Sequence, residues 1–267
     1  MVCLLERIFL TFDVEEVRNA EGQVIEESLD YSASGCDALL DLLADLEIPA
    51  TFFITGFFAE QNQSLVKRIK RAGHEIASHG YRHIRLTDLG RKELKVELKK
   101  SIEVLEEITK AKPIGFRAPY LAINNSMLDL LEELGFKYDS SVDKSISQIF
   151  NRDYSLWFAG RKLREFQISH FPLLHLPISW HWLRNLGSAY ALLGIKLNLK
   201  LAKRAVLFFH SWAFSDAPCK EGLPRRASRK TGKSFALQLK GLLSGFKRKN
   251  FYRLCDFLEA EQCQSFQ

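Results

Sequence analysis

Two short clusters carry the residue types that metal chemistry and proton transfer require. The first, Thr11-Phe12-Asp13-Val14-Glu15-Glu16, runs an apolar segment straight into three carboxylates. That arrangement is costly unless the carboxylates meet solvent or a cation. In extended chain, residues i and i+2 share a face, so Asp13 and Glu15 point together while Val14 points away. The second cluster, His79-Gly80-Tyr81-Arg82-His83, spaces two imidazoles four residues apart. On one turn of helix this spacing suits two ligands of a single zinc-like ion. The preceding Gly73-His74-Glu75-Ile76-Ala77-Ser78 reads as a turn and then a strand that delivers His79. Each cluster also has an ordinary reading, as a solvated strand end and as a chance pair of histidines.

The elements that must position these residues alternate along the chain. Short apolar or β-branched runs predict strands over Arg7–Phe12, Ala50–Thr55, Glu75–Ser78, Ile114–Arg117, Lys137–Ser140, Leu174–Ile178 and Ala205–His210. Most are continuous apolar runs, as expected of strands buried on both faces. Amphipathic segments lie between them at Ser34–Leu46, Ser64–Ala72, Arg91–Lys110, Ser126–Leu134 and Leu183–Lys203. In the third of these, Leu94, Leu98, Ile102, Leu105 and Ile108 recur at helical spacing. Such alternation predicts a parallel α/β fold. One barrel of roughly 200–250 residues would use nearly all of the 267 available. The polar clusters fall at the C-terminal ends of their strands, where the active sites of parallel barrels assemble. The Ala217–Lys233 stretch reads as a long loop, with terminal helices expected near Ser234–Phe246 and Tyr252–Gln262.

A third cluster, Gly115-Phe116-Arg117-Ala118-Pro119-Tyr120, completes a recognisable order. The chain resembles the polysaccharide deacetylase superfamily (carbohydrate esterase family 4 and its chitooligosaccharide deacetylase relatives). The matching elements are Thr-Phe-Asp-Val-Glu at 11–15, Ala-Thr-Phe-Phe-Ile-Thr-Gly at 50–56 and Gly-His-Glu-Ile-Ala-Ser-His at 73–79 with His83. They continue with Phe-Arg-Ala-Pro-Tyr at 116–120, Tyr-Asp-Ser-Ser-Val at 138–142 and Leu-Phe-Phe-His-Ser-Trp at 207–212. The resemblance implies a distorted (β/α) barrel of about seven parallel strands in a single domain over 1–267. Its core would span 5–214, with a basic loop and C-terminal helices over 215–267. It further implies a metal-dependent hydrolase that removes an N-acetyl group from an amino sugar. In the family's usual first motif two aspartates are adjacent, base then ligand. Val14 replaces the second here, which matches an Asp-Val-Glu branch with the ligand moved by one residue. Asp13 is then the base, and Glu15, with Glu16 as its rival, joins His79 and His83 on a divalent metal. Zinc suits these ligands, and cobalt, nickel or manganese fit nearly as well. By the same resemblance Arg117 keeps Asp13 ionised and oriented, His210 is the acid, and Asp139 tunes that histidine. Tyr120 supplies an oxyanion-binding N–H, and Tyr120 and Trp212 line the acyl pocket or a sugar platform. A branch glutamate after the last motif's tryptophan is replaced by Ala213, which affects substrate contacts more than chemistry.

Composition sets the remaining expectations. The chain is 46% hydrophobic and 26% charged, ordinary for a globular domain. Five scattered cysteines lack Cys-x-x-Cys spacing, which predicts reduced thiols used in packing. Charge interrupts the apolar start at Glu6 and Arg7, so no export signal is read and a cytoplasmic location is expected. Between Lys196 and Arg253 lie 15 Lys and Arg against two acids; this stretch carries +13 of a total of +6, and the rest is −7. That asymmetry points to an anionic partner or to a solvated basic face. A phosphate- or lipid-linked sugar and peripheral membrane contact are the readings it favours, and nucleic acid is the weakest. The apolar stripe of Leu183, Leu186, Tyr190, Leu193, Leu197 and Leu201 suits either a barrel helix or a helix lying in a membrane interface. Two other classes remain open: hydrolysis of another C–N bond, in a formamide or a ureide ring, and a non-catalytic barrel that binds a glycan or lipid carrier.

Overall fold

Alternation along the first strand sets up the interior. In β1 (Arg7–Val14), Ile8, Leu10, Phe12 and Val14 join an apolar layer beneath the outer helices, whereas Phe9 packs inward with Phe53, Tyr138 and Phe166. The computed structural model describes residues 6–19, 21–143, 157–172, 174–216 and 230–258. The chain continues through α1 (Glu27–Leu46), β2 (Thr51–Ile54), α2 (Gly56–Gln61), α3 (Gln63–Arg71) and β3 (Glu75–Ser78). Next come α4 (Arg91–Thr109), β4 (Gly115–Phe116), α5 (Asn125–Glu133), β5 (Tyr138–Asp139) and β6 (Arg164–Glu165). A hairpin of β7 (His170–Phe171) and β8 (Leu176–Pro177) leads into α6 (Trp180–Ala202). The described chain closes with β9 (Arg204–His210), α7 (Lys233–Leu243) and β10 (Phe251–Tyr252).

The main sheet is parallel throughout, in the order β10-β1-β2-β3-β4-β5-β6, with β9 on the other edge of β1. β10 and β2 share one edge of β1: β10 pairs with Ile8 and Phe9, and β2 takes over from Thr11. Among the described residues no ladder joins β6 to β9. Irregular segments bridge that gap, where Ser169 N–H donates to Val206 (2.9 Å) and Ser179 forms an isolated bridge with Phe208. The sheet therefore curls into a half-barrel in a single domain, in keeping with the expected distorted barrel of parallel strands.

Its interior is layered. At the lower end Phe9, Tyr138 and Phe166 meet edge to face at 5.2–5.7 Å, each fully buried and each stabilising the fold by roughly 1.5–3 kcal/mol. Above them the Arg117 guanidinium lies 4.1 Å from the Phe53 ring centre, and the polar clusters crown the stack.

Three expectations are corrected. The apolar run Leu174–Ile178 does not enter the main sheet: Leu176–Pro177 pairs antiparallel with His170–Phe171. The sheet position it was expected to fill belongs to Arg164–Glu165. Tyr252 opens no helix but pairs with β1 as β10, and the helical turn begins only at Leu254. The helix expected at Leu183–Lys203 starts earlier, at Trp180, and is interrupted at Gly187, whose φ of 82° is not helical. Most of the expected Ala217–Lys233 loop, and the end of the last expected helix, lie outside the described residues.

Candidate active site

Asp13 and Glu15 reach the mouth because they continue the inward face of β1, while Val14 is buried outward at 0% exposure. Asp13 is held by Arg117, whose Nη1 donates to Oδ1 at 2.8 Å. Arg117 is itself fully buried and spends its other donors on Ser140, Nε on the carbonyl (2.8 Å) and Nη2 on the hydroxyl (2.9 Å). A buried charge of this kind persists only when paired and hydrogen-bonded.

Glu15 meets three imidazoles. Its Oε2 lies 3.1 Å from His79 Nε2 and 3.0 Å from His83 Nε2, and its Oε1 lies 3.7 Å from His210 Nε2. His79 Nδ1 bonds the Arg117 carbonyl at 2.8 Å. A carbonyl only accepts, so Nδ1 donates to it, and Nε2 is the nitrogen turned toward Glu15. Burial alone would raise the Glu15 pKa, but the surrounding histidines outweigh it and hold the carboxyl well below its usual range. For His79, burial works downward and is overcome by Asp13 and Glu15, so its pKa rises. For His210, burial prevails over those same carboxylates and its pKa falls.

The donor set of Glu15, His79 and His83 fits a divalent ion. Their ligand atoms lie within 4.8 Å of one another. The 3.0 and 3.1 Å separations approach the roughly 3.4 Å edge of a tetrahedron built on bonds of about 2.1 Å. Three protein ligands leave a position open for water or substrate, the hallmark of a catalytic rather than a structural site.

The two histidines are not brought together by a helix. Residues 79–85 form an irregular loop, turned by Gly80 at φ 77°. The first amides of α2 pin that loop, Gly56 N–H donating to Gly80 (2.9 Å) and Phe57 N–H to Tyr81 (2.8 Å). Glu16 supplies the other anchor. Its Oε1 accepts from His83 N–H (2.8 Å) and from Arg18, and its Oε2 accepts from the Thr55 hydroxyl (2.7 Å). Both Glu16 oxygens are engaged in holding the loop, whereas those of Glu15 face the imidazoles.

The remaining expected residues separate. Tyr120 is 53% exposed at φ 58°, with its ring 4.5 Å from that of His83. Trp212 is only 4% exposed and stacks on His210 at 4.9 Å, a wall beside the histidine rather than an open platform. Asp139 accepts from Ser141 N–H and Oγ and pairs with Glu165, so its bonds do not run to His210. Burial and the neighbouring Asp139 push the Glu165 carboxyl well up. His74 lies apart, buried at the foot of β3 with its pKa lowered to about 4. Among residues not singled out beforehand, Trp180 opens α6 with its ring 5.6 Å from His210 and 5.0 Å from Trp212. The Trp180-His181-Trp182 run between an apolar segment and a helix was the available signal.

Known proteins resemble this chain in sequence and in fold. Residues 6–138, about half of the chain, match the family model described as polysaccharide deacetylase. A peptidoglycan deacetylase of Helicobacter pylori is 36% identical over 108 residues, 40% of this chain and 37% of that protein. The chain spans less than half the length of the curated relatives it matches. In fold, a polysaccharide deacetylase-like protein of Mycobacterium smegmatis superposes with TM-score 0.66 at 22% identity, over 97% of this chain and 91% of the other. A family 4 carbohydrate esterase pseudoenzyme of Bacillus anthracis gives 0.59 at 13% identity, over 94% and 65%. With its motifs gathered at one barrel mouth and this match along its first half, the chain belongs to the polysaccharide deacetylase family.

Proposed function

We propose that the protein is a metal-dependent hydrolase that removes an N-acetyl group from an amino sugar. The observation that carries this reading is Glu15 Oε2 within 3.1 Å of two imidazole nitrogens, beside a second carboxylate already paired with a buried arginine. Glu15, His79 and His83 would hold the ion. When bound, a divalent metal lowers the pKa of water and polarises the amide carbonyl. Asp13, fixed by Arg117, takes the proton from the attacking water. The Tyr120 backbone N–H offers a donor to the oxygen that gains charge. His210 delivers a proton to the departing amine, because an amine anion is too poor a leaving group. Trp180 and Trp212 brace the His210 ring on two sides and limit water around it.

The substrate class we favour is a phosphate- or lipid-linked amino sugar, because basic residues dominate the C-terminal third while the donor cluster lies in the acidic part. Metal analysis of the purified protein, combined with acetate release from N-acetylglucosamine substrates, tests the activity. Asp13→Asn is expected to lower kcat by roughly two to four orders of magnitude while metal content stays equal to wild type. Formate release or ureide opening in place of acetate release would transfer the reading to another C–N bond. Bound metal without turnover on any of these substrates would leave a binding protein.

A further inference from the structure

Beyond the acyl chemistry, and independent of it, the face formed by α6 and its surroundings has the character of a docking surface. Among the described residues, seven large hydrophobic side chains are exposed, and five of them belong to this region. They are Leu174 before β8, Leu186, Leu193 and Leu201 on α6, and Leu237 on α7, from 47% to 71% exposed. Packing of α6 against β7, β9 and α7 accounts for its buried side, Leu183, Ile195 and Leu199, and leaves these leucines uncovered.

Along α6 itself the charge has one sign. From Phe166 to Ser215 the sequence contains no aspartate or glutamate. Lys196, Lys200 and Lys203 are exposed between and beside Leu193 and Leu201 and make no ion pair among the described residues. Apolar side chains interleaved with lysines, on a helix that carries no acid, complement an anionic interface with a hydrocarbon layer beneath it. A second copy of this chain is a poor occupant, because an isologous contact would set the same lysines against each other. No described helix is long and apolar enough to cross a membrane, so the contact would be peripheral.

We propose that this face docks onto an anionic lipid bilayer. The first residue of α6 is Trp180, whose ring lies against His210 at the site. Docking through α6 therefore brings the barrel mouth close to the headgroup layer.

The test is co-sedimentation of the full chain with phosphatidylcholine vesicles, with and without phosphatidylglycerol. Binding is expected only with the anionic lipid, and it should weaken as salt is raised. The pair Leu193→Ser and Leu201→Ser, and separately the pair Lys196→Gln and Lys200→Gln, should each weaken it about tenfold or more. All four side chains are exposed, so melting temperatures should match wild type and exclude misfolding. Absence of binding by wild type, or binding equal to wild type in either variant, would overturn the proposal. So would concentration-dependent dimerisation abolished by the leucine changes, which would make a second copy the occupant. Acetate release is not read in this assay, so its outcome stands apart from that of the deacetylase reading.

Discussion

Glu15 and Glu16 are chemically alike and adjacent, yet strand geometry divides their work. The side chain that follows the inward face of β1 meets three imidazoles, and the next one turns to a loop backbone, a hydroxyl and an arginine. Glu16 is thus a positioning residue acting through His83. Removing its carboxylate would leave the His83 amide, the Thr55 hydroxyl and the Arg18 guanidinium without their partner, at a cost on the order of 3 kcal/mol. Glu16→Ala should also weaken metal binding by roughly 10- to 100-fold, as loss of an outer partner of a ligand commonly does. Glu16→Gln, which keeps an oxygen for the His83 amide, should lose less. Titration of the metal-free protein with cobalt, followed by its visible absorption, measures both. Equal cobalt affinity in Glu16→Ala and wild type would show that the loop holds His83 without Glu16.

At the scale of elements, the approach of α1 to the end of β9 sets where His210 and Trp212 stand. Gly35 makes that approach possible: a Cβ there would lie 1.9 Å from the Ser211 carbonyl oxygen and 2.7 Å from its carbon. Both atoms are backbone, so Gly35→Ala must push helix and strand end apart. A loss of roughly 1–3 kcal/mol in urea unfolding is expected, with a fall in kcat as His210 moves. Gly241→Ala in α7 is the matching control, since nothing lies within 4 Å of its Cβ. It should be neutral or stabilise by about 0.5–1 kcal/mol through helix propensity. Equal destabilisation by both changes would remove the close approach as the cause. The same scale shows what sequence can and cannot disclose. β1 was readable because its apolar run ends abruptly in carboxylates, and α4 because its leucines and isoleucines keep helical period. β6 was not, because Arg164 and Glu165 are two charged residues whose place is set by pairing with Tyr138 and Asp139. The apolar Leu174–Ile178 run mimicked the missing strand, yet it serves a hairpin beside α6. His79 and His83 were readable as a pair, but not their loop, which depends on Gly80 and on amides from α2. Resemblance singled out Asp13, Arg117 and His210, which the fold brings together. It missed Glu165, whose contact with Asp139 exists only once β5 and β6 are aligned.

Across the whole molecule, charge is sorted by position in the chain and partly reconciled in space. Ion pairs from Lys240 to Asp45 and from Arg248 to Glu47 fasten the basic C-terminal region onto α1 and the residue that ends it. Exposed pairs of this kind contribute little individually. The concentrated electrostatic demand lies at the barrel mouth, where Asp13, Glu15, His79, His83, Arg117 and His210 share one low-dielectric volume. Strands from the start, middle and end of the sequence must all be in place to assemble it: β1, β3, β4 and β9. An unfolded chain cannot present this donor set, so a metal that binds there stabilises the folded state by mass action. At a free concentration one hundred times its dissociation constant the gain is about 2.7 kcal/mol, enough to raise the melting temperature by roughly 5 °C in a chain of this size. Adding zinc to metal-free protein should produce that rise. His83→Ala should abolish it while leaving the melting temperature of the metal-free form near that of wild type, because His83 lies at the rim of the cluster and is only partly buried. A rise of equal size in His83→Ala would place the ion elsewhere on the protein.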